Sequence, residues 1–220
     1  MLKNRLGRLW GLSFAAIAGR KQICLYAGDV PNLPEYTGKG LVGLSLTASD
    51  SRHIRHDITK PYPLADGTVD SYQAEDVFEH IEYEKLVDVV DEIHRVLKPG
   101  GWFRLSVPDY RCDILRNRSL YDVSGEIAFD PVGGGAFRDG RVVDGGHVWF
   151  PTYEKVKQLI ERSKFDDFKF YHYYDENGES VTNEIDYSRG YIMRTPDHDA
   201  RVQNPYRAMS IVVDMFKRQD

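Results

Sequence analysis

"TVDSYQAEDVFEHIEYEKLVDVVDEIHRVLKPGGWFRLSVP", residues 68–108, carries two hydrophobic periods side by side. Its ends, "TVDSYQA" (68–74) and "WFRLSVP" (102–108), are short β-rich runs of the kind that form buried strands. Between them Ile81, Leu86, Val89, Val90, Ile93, Val96 and Leu97 fall near helical spacing, with Glu, Asp and Lys on the other face. The pattern predicts a helix over 81–97. "KPGG" ends it, because Pro99 cannot continue a helix and Gly100 or Gly101 can take the left-handed closing turn. Strand, helix and strand in about 40 residues describe a βαβ unit, and hence a parallel sheet with helices on its faces.

The pattern extends both ways from this unit. Upstream, "QICLYAG" (22–28) and "GLVGLSL" (40–46) read as two more buried strands. Downstream, residues 111–146 are polar and glycine-rich, too long for an ordinary connection, and the 111–150 region reads as an insert or substrate lid. "TYEKVKQLIERSKF" (152–165) follows as an amphipathic helix with Thr152 at its N-cap position. "FKFYHYY" (168–174) and "AMSIVVDMF" (208–216) then read as strands paired antiparallel.

The 220 residues, 41% of them apolar, suit one domain with a sizeable core. A net charge of −5 gives no basic footprint for a nucleic-acid backbone, so no nucleic-acid partner is expected. The aromatic run "FKFYHYY" resembles a base-stacking platform, but an edge strand packed on a helix uses such residues equally well. Cys24 and Cys112 match no metal or redox spacing, which fits buried thiols in a reduced, cytoplasmic setting. Lys3, Arg5 and Arg8 ahead of the apolar stretch 9–18 imitate a secretory signal. Gly11 and Ser13 break that stretch and strand-like sequence starts at Gln22, so residues 1–20 read as a leading amphipathic helix. No stretch reaches the roughly 18–20 apolar residues of a membrane span.

"HDITKPYPLADGTVDSYQAEDVFEHI", "EIHRVLKPGGWFRLSVPDY" and "GGHVWFPTYEKVKQLIERSKF" together resemble the small class I S-adenosylmethionine-dependent methyltransferases of the type 11 kind, including members whose genes lie near those for surface polysaccharides. The resemblance runs from about Gln22 to Lys217. It implies an α/β, Rossmann-like fold: a mostly parallel seven-stranded sheet with its last strand antiparallel and helices on both faces. It also implies S-adenosyl-L-methionine as cofactor and O-methylation of a sugar or other small molecule. In such folds the cofactor lies at the carboxyl ends of the strands. Gly28 aligns with the family's glycine-rich turn, here followed by Asp29, Val30 and Pro31, and Asp29 is a candidate partner for the cofactor's ammonium. Ser45 stands near the position of the usual ribose-binding acid, with Asp50 a few residues on. By the same resemblance Asp57 meets the adenine amino group and Ile58 packs on the ring, while Ala74 and Glu75 lie near the cofactor.

For proton acceptance from a hydroxyl, the candidates are His147, His80, Asp76 and Asp109. His147 corresponds to a histidine common in the family, and its alternative is to hydrogen-bond the insert and hold it closed. Asp109, at the end of a strand, either faces substrate or caps the next helix. Glu75, Asp76, Glu79 and His80 have no strict metal-ligand signature, and acids at a helix start suit the helix dipole, so no metal is expected. His53 and His198 read as surface loop residues. A nicotinamide enzyme is disfavoured because "AGDVPNLPEYTGKG" lacks G-x-G-x-x-G. The remaining alternative is a binding module or partner subunit that has lost its cofactor.

Overall fold

The computed structural model describes residues 11–219. The deciding stretch folds as strand β4 (Val69–Glu75), helix α3 (Leu86–Val96) and strand β5 (Leu97–Pro108), the strands parallel with Ala74 beside Leu105. The helix begins later than its periodicity suggests, after 3-10 turns at Phe78–His80 and Tyr83–Lys85. A longer helix would need the Glu79 carbonyl for its own next turn. That carbonyl instead accepts the Val148 N–H at 2.8 Å, tying the turn to a distant segment. Within "KPGG", Gly100 takes φ +78° and its N–H donates to the Lys217 carbonyl, while a Cβ on Gly101 would meet two backbone oxygens at 2.9 Å.

Upstream lie β1 (Cys24–Ala27), β2 (Leu41–Ser45) and β3 (His53–Arg55); near the C-terminus lie β10 (Asp167–Tyr174), β11 (Ser180–Thr182) and β12 (Ser210–Phe216). The sheet order is β11-β10-β12-β5-β4-β1-β2-β3. The five strands from β3 to β5 are parallel, and β12 enters antiparallel between β5 and β10. The sheet thus has eight strands where seven were expected. The addition is β11, a short edge strand folded back through the turn at 175–178, where the Asp175 carboxylate accepts the Asn177 and Glu179 N–H groups.

One sheet face holds the main apolar core, built with α1 (Phe14–Ile17), α3 and α5 (Tyr153–Glu161). Thr152 takes the extended N-cap backbone of α5 without a side-chain cap bond. Of the expected leading helix, Phe14–Ile17 is seen, capped by Ser13, and residues 1–10 lie outside the described ones. The other face is covered by α2 (Pro34–Thr37) and by the segment 183–206 with its 3-10 turns Tyr187–Arg189 and Ala200–Val202. This face is unusually polar inside. Arg104 on β5 and Asp214 on β12, cross-strand neighbours with no exposure, form a bidentate pair of two 2.7 Å bonds. The Arg104 Nη1 then donates to the Asp186 and Gly190 carbonyls, which pins the 186–190 loop on the sheet.

The long insert is ordered. It contains α4 (Asp113–Arg118) and two small hairpins, β6 (Leu120–Tyr121) with β7 (Ile127–Phe129) and β8 (Ala136–Arg138) with β9 (Arg141–Val143). Asp130 anchors it, accepting from Tyr110 Oη at 2.7 Å and from Arg118 at 2.6 Å. Its glycines are demanded by space: a Cβ on Gly133 would lie 2.7 Å from the His147 ring, and one on Gly135 2.3 Å from the Val143 carbonyl. Both cysteines are free and buried. Among the described residues no helix is long and apolar enough to cross a membrane.

Candidate active site

A cavity of about 400 Å³ opens at the carboxyl ends of β1, β2 and β4, bounded by the insert. Its volume falls in the range of small-molecule sites. Gly28, Asp29, Ser45, Asp57, Ile58, Asp76 and His80 all line it, together with Leu44, Leu46, Val77, Ile81 and Gly145. Seven of the positions singled out from sequence therefore converge on one space.

Gly28 sits at φ +83°, a conformation side-chain-bearing residues resist, and its N–H donates to the Leu44 carbonyl. The loop after it is held from below. His53 is buried, correcting its reading as a surface residue, because its Nε2 accepts the Val30 N–H at 3.0 Å while Nδ1 donates to Asp50 at 2.9 Å. A Cβ on Gly43 would strike the same ring at 2.4 Å, so the bare β2 position makes room for this pin. Asp50 is consumed by His53 and by the Arg52 and His53 N–H groups and does not reach the cavity. Ser45 does line it, but its Oγ accepts the Thr47 and Ala48 N–H groups and closes the turn after β2.

Asp57 is better disposed. Burial favours its neutral form, but the Thr59 N–H and hydroxyl, both donating to Oδ1, outweigh that and hold its carboxyl below the ordinary value. Its Oδ2 makes no hydrogen bond among the described residues. Ile58 is buried beside it on the wall.

Four expected site residues, Ala74, Glu75, Asp109 and His147, lie off the cavity wall. Ala74 is fully buried within β4 and does not line the cavity. Glu75 points to the opposite sheet face, since successive strand residues alternate sides. There its carboxylate accepts four donors: Tyr26 Oη at 3.4 Å, Gln73 Nε2 at 2.8 Å, Tyr36 Oη at 3.0 Å and the Met193 N–H at 3.1 Å. Burial, foremost, pushes the Glu75 carboxyl up to about 7. Asp109, fully buried and off the cavity wall, accepts the Arg111 and Tyr174 N–H groups at 2.9 and 2.7 Å; it closes the 109–111 turn and ties it to β10, while the N-cap position of α4 belongs to Cys112.

Beside the cavity, Asp76 adopts φ +52°, pairs with Arg194 at 3.1 Å, and buries an unpartnered Oδ1. His80 is exposed on the cavity rim with Nδ1 2.8 Å from the Gly145 carbonyl. A carbonyl only accepts, so the neutral ring carries its proton on Nδ1. His147 is buried behind His80, ring centroids 4.7 Å apart, and is not on the cavity wall. Burial pulls its pKa down to about 4, below the range expected of a proton acceptor near neutrality. Its Nδ1 meets Tyr110 Oη at 2.5 Å, and its Nε2 lies 3.7 Å from Glu79 Oε1. Glu79 has no exposure and both its oxygens lack a partner. Arg194 and the Tyr110–Arg118–Asp130 group of the insert carried no sequence signal, because they reach this region from segments far along the chain from Asp76–His80.

Comparison with solved structures agrees with this layout. A SAM-dependent methyltransferase from Thermotoga maritima matches with a TM-score of 0.51 at 14% identity, covering 90% of this chain and 83% of that one. One from Methanosarcina mazei matches at 0.51 and 12% identity, covering 95% and 100%. A third, from Archaeoglobus fulgidus, matches at 0.50 and 13% identity, covering 88% and 85%. The fold is therefore that of the class I S-adenosylmethionine-dependent methyltransferases. Within it, residues 39–105 match the family model described as a methyltransferase domain. No curated protein sequence matches.

Proposed function

We propose that this protein transfers a methyl group from S-adenosyl-L-methionine to a hydroxyl of a sugar or other small molecule, within one domain whose 111–150 segment serves as lid. The observation that carries the reading is the cavity at the strand ends, where bare Gly28 and the open Oδ2 of Asp57 face one space. Gly28 admits the amino-acid end of the cofactor, with Asp29 near its ammonium; Asp57 accepts from the adenine amino group; Ile58, Leu46 and Ile81 supply apolar surface. The bound cofactor supplies an electrophilic methyl carbon on a sulfonium. Little covalent help is needed beyond alignment of the nucleophile. His80, on the rim with its proton fixed on Nδ1, offers Nε2 toward an acceptor hydroxyl, and Asp76 lies beside it. The sugar class is supported by the resemblance of the sequence alone.

Isothermal titration with S-adenosylmethionine and S-adenosylhomocysteine tests this. Binding near micromolar, about −8 kcal/mol, is expected. One observation favours a second reading, a binding module without activity: the ribose-side positions are spent on structure, Ser45 on its turn and Asp50 on His53. Absence of heat with either ligand at millimolar concentration selects that reading.

A further inference from the structure

Glu79, His80 and His147 place one ligand atom each within 4.8 Å of one another, at the inner edge of the cavity. From this grouping we infer a binding site for a divalent transition cation of the zinc class, open toward the methyl-transfer cavity. Because the acceptor would bind there, its catalytic use rests on the reading given above.

Two observations point to a ligand independently. The first is the orphaned carboxylate. Glu79 is fully buried with neither oxygen hydrogen-bonded, a costly state for an acceptor unless something positive occupies its front. The second is how the imidazoles are held. Tyr110 Oη donates to Asp130 at 2.7 Å, so its oxygen receives the His147 Nδ1 proton, leaving the Nε2 lone pair aimed at Glu79, 3.7 Å from Oε1. Two acceptors facing each other gain nothing without a proton or cation between them. The Gly145 carbonyl fixes the His80 ring in the same sense, with its lone pair on Nε2. Both imidazoles are thus oriented from behind by a carbonyl or a phenol–carboxylate relay, the arrangement that supports metal-bound histidine.

Two nitrogens and one carboxylate suit zinc, cobalt or iron(II) better than magnesium or calcium, which prefer all-oxygen sites. Ligand distances of about 2.0–2.2 Å require the three groups to draw in by roughly an ångström. Tetrahedral ligands at that distance sit about 3.4 Å apart, so the 3.7 Å pair is already close, and His80, exposed on the rim, supplies most of the movement by turning about its bond to the Gly145 carbonyl. Three protein ligands leave a fourth position, as in catalytic zinc sites. Gly145 and His80 border both this cluster and the cavity, so that position faces an acceptor oxygen. With a cation bound, the His80 Nε2 lone pair is taken up as its ligand and no longer accepts the proton; the cation would instead hold the hydroxyl and lower its pKa, the proton passing to solvent water.

The test is titration of chelator-treated full-length protein with Co²⁺, followed by visible absorption and by Zn²⁺ competition, with neither cofactor nor acceptor present. Saturable binding of about one ion per chain is expected, with intense tetrahedral d–d bands abolished by Zn²⁺. His80→Ala, on an exposed residue that leaves the core alone, weakens it at least tenfold, as does Glu79→Gln; His172→Ala, remote from the cluster, does not. Non-saturable uptake, or equal affinity in wild type and His80→Ala, overturns the inference. Cofactor titration is a separate measurement, so either reading can fail while the other stands.

Discussion

Replacing Glu75 by Gln isolates one buried carboxyl whose effect on stability follows from the structure. Glu75 accepts four donors and meets no cation, on a side chain whose residue is 9% exposed. Burial raises its pKa from the ordinary 4.5 to about 7, more than the Tyr36 and Met193 donors lower it. A carboxyl raised in the folded state makes the fold bind a proton that the unfolded chain releases. The associated stability is fully present below pH 4.5 and is lost as pH rises through about 7. At about 1.4 kcal/mol per pH unit, the gap between those values amounts to about 3 kcal/mol. Other buried acids titrate in the same window, Asp109 for one, raised to about 6 mainly by burial. Their contributions cancel in a difference between two proteins. The assay is urea unfolding of wild type and Glu75→Gln from pH 4.5 to 8.5, plotting the variant's stability minus that of wild type. The difference should rise by about 3 kcal/mol across the range, because the amide does not titrate. A flat difference, or one that falls with pH, would show that the four donors hold the carboxylate ionised and that burial does not prevail.

Four further outcomes are expected. Arg104→Met, which leaves the Asp214 carboxylate buried and unpaired, should cost about 3–5 kcal/mol in chemical denaturation, and the Arg104→Met/Asp214→Leu double variant should recover most of it. Asp57→Ala should weaken S-adenosylhomocysteine binding by about tenfold in calorimetry, the loss of a hydrogen bond to a charged acceptor, and should also lower unfolding stability by about 1 kcal/mol through loss of the Thr59 bonds. His53→Ala removes the partner of the Val30 N–H; cofactor binding should fall although His53 is not a wall residue of the cavity, and unchanged affinity would show that the loop holds itself. Gly133→Ala should displace the His147 ring, visible as a moved imidazole resonance and a lower turnover at unchanged cofactor affinity.

What could be read from the sequence divides along physical lines. Periodicity exposed the βαβ unit and the amphipathic helices, because burial of one face imposes a local spacing. Gly28, Asp57 and Ile58, singled out by the family resemblance, do line one cavity, Gly28 just past the end of β1 and the other two just past the end of β3. Failures occurred where a residue's partner lies far along the chain. Glu75 was assigned to the cofactor side, but strand alternation and the Met193 N–H, 118 residues away, place it on the other. His53 looked like a loop residue until Val30 supplied a reason for its burial. Helix α3 starts late because Val148 captures a carbonyl that local sequence assigns to the helix. One signal was present and passed over: Arg104 and Asp214 are opposite charges set within two strongly apolar strands, "WFRLSVP" and "AMSIVVDMF". Buried charges of opposite sign in two strands are a reason to pair those strands in register.

The place of β12 in the sheet has a consequence for how the chain acquires its shape. β12 wedges between β5 and β10, both of which precede it in the chain. Until residues 210–216 have been synthesised, β5 keeps an open edge and Arg104 has no counter-charge. A nascent chain can form the βαβ unit early, because its contacts are short-range, but the final strand must close non-local pairings on both its sides at once. Folding should therefore show a late step that completes the sheet, and chains halted before Ser210 should be the species that aggregates, through the unpaired edge of β5.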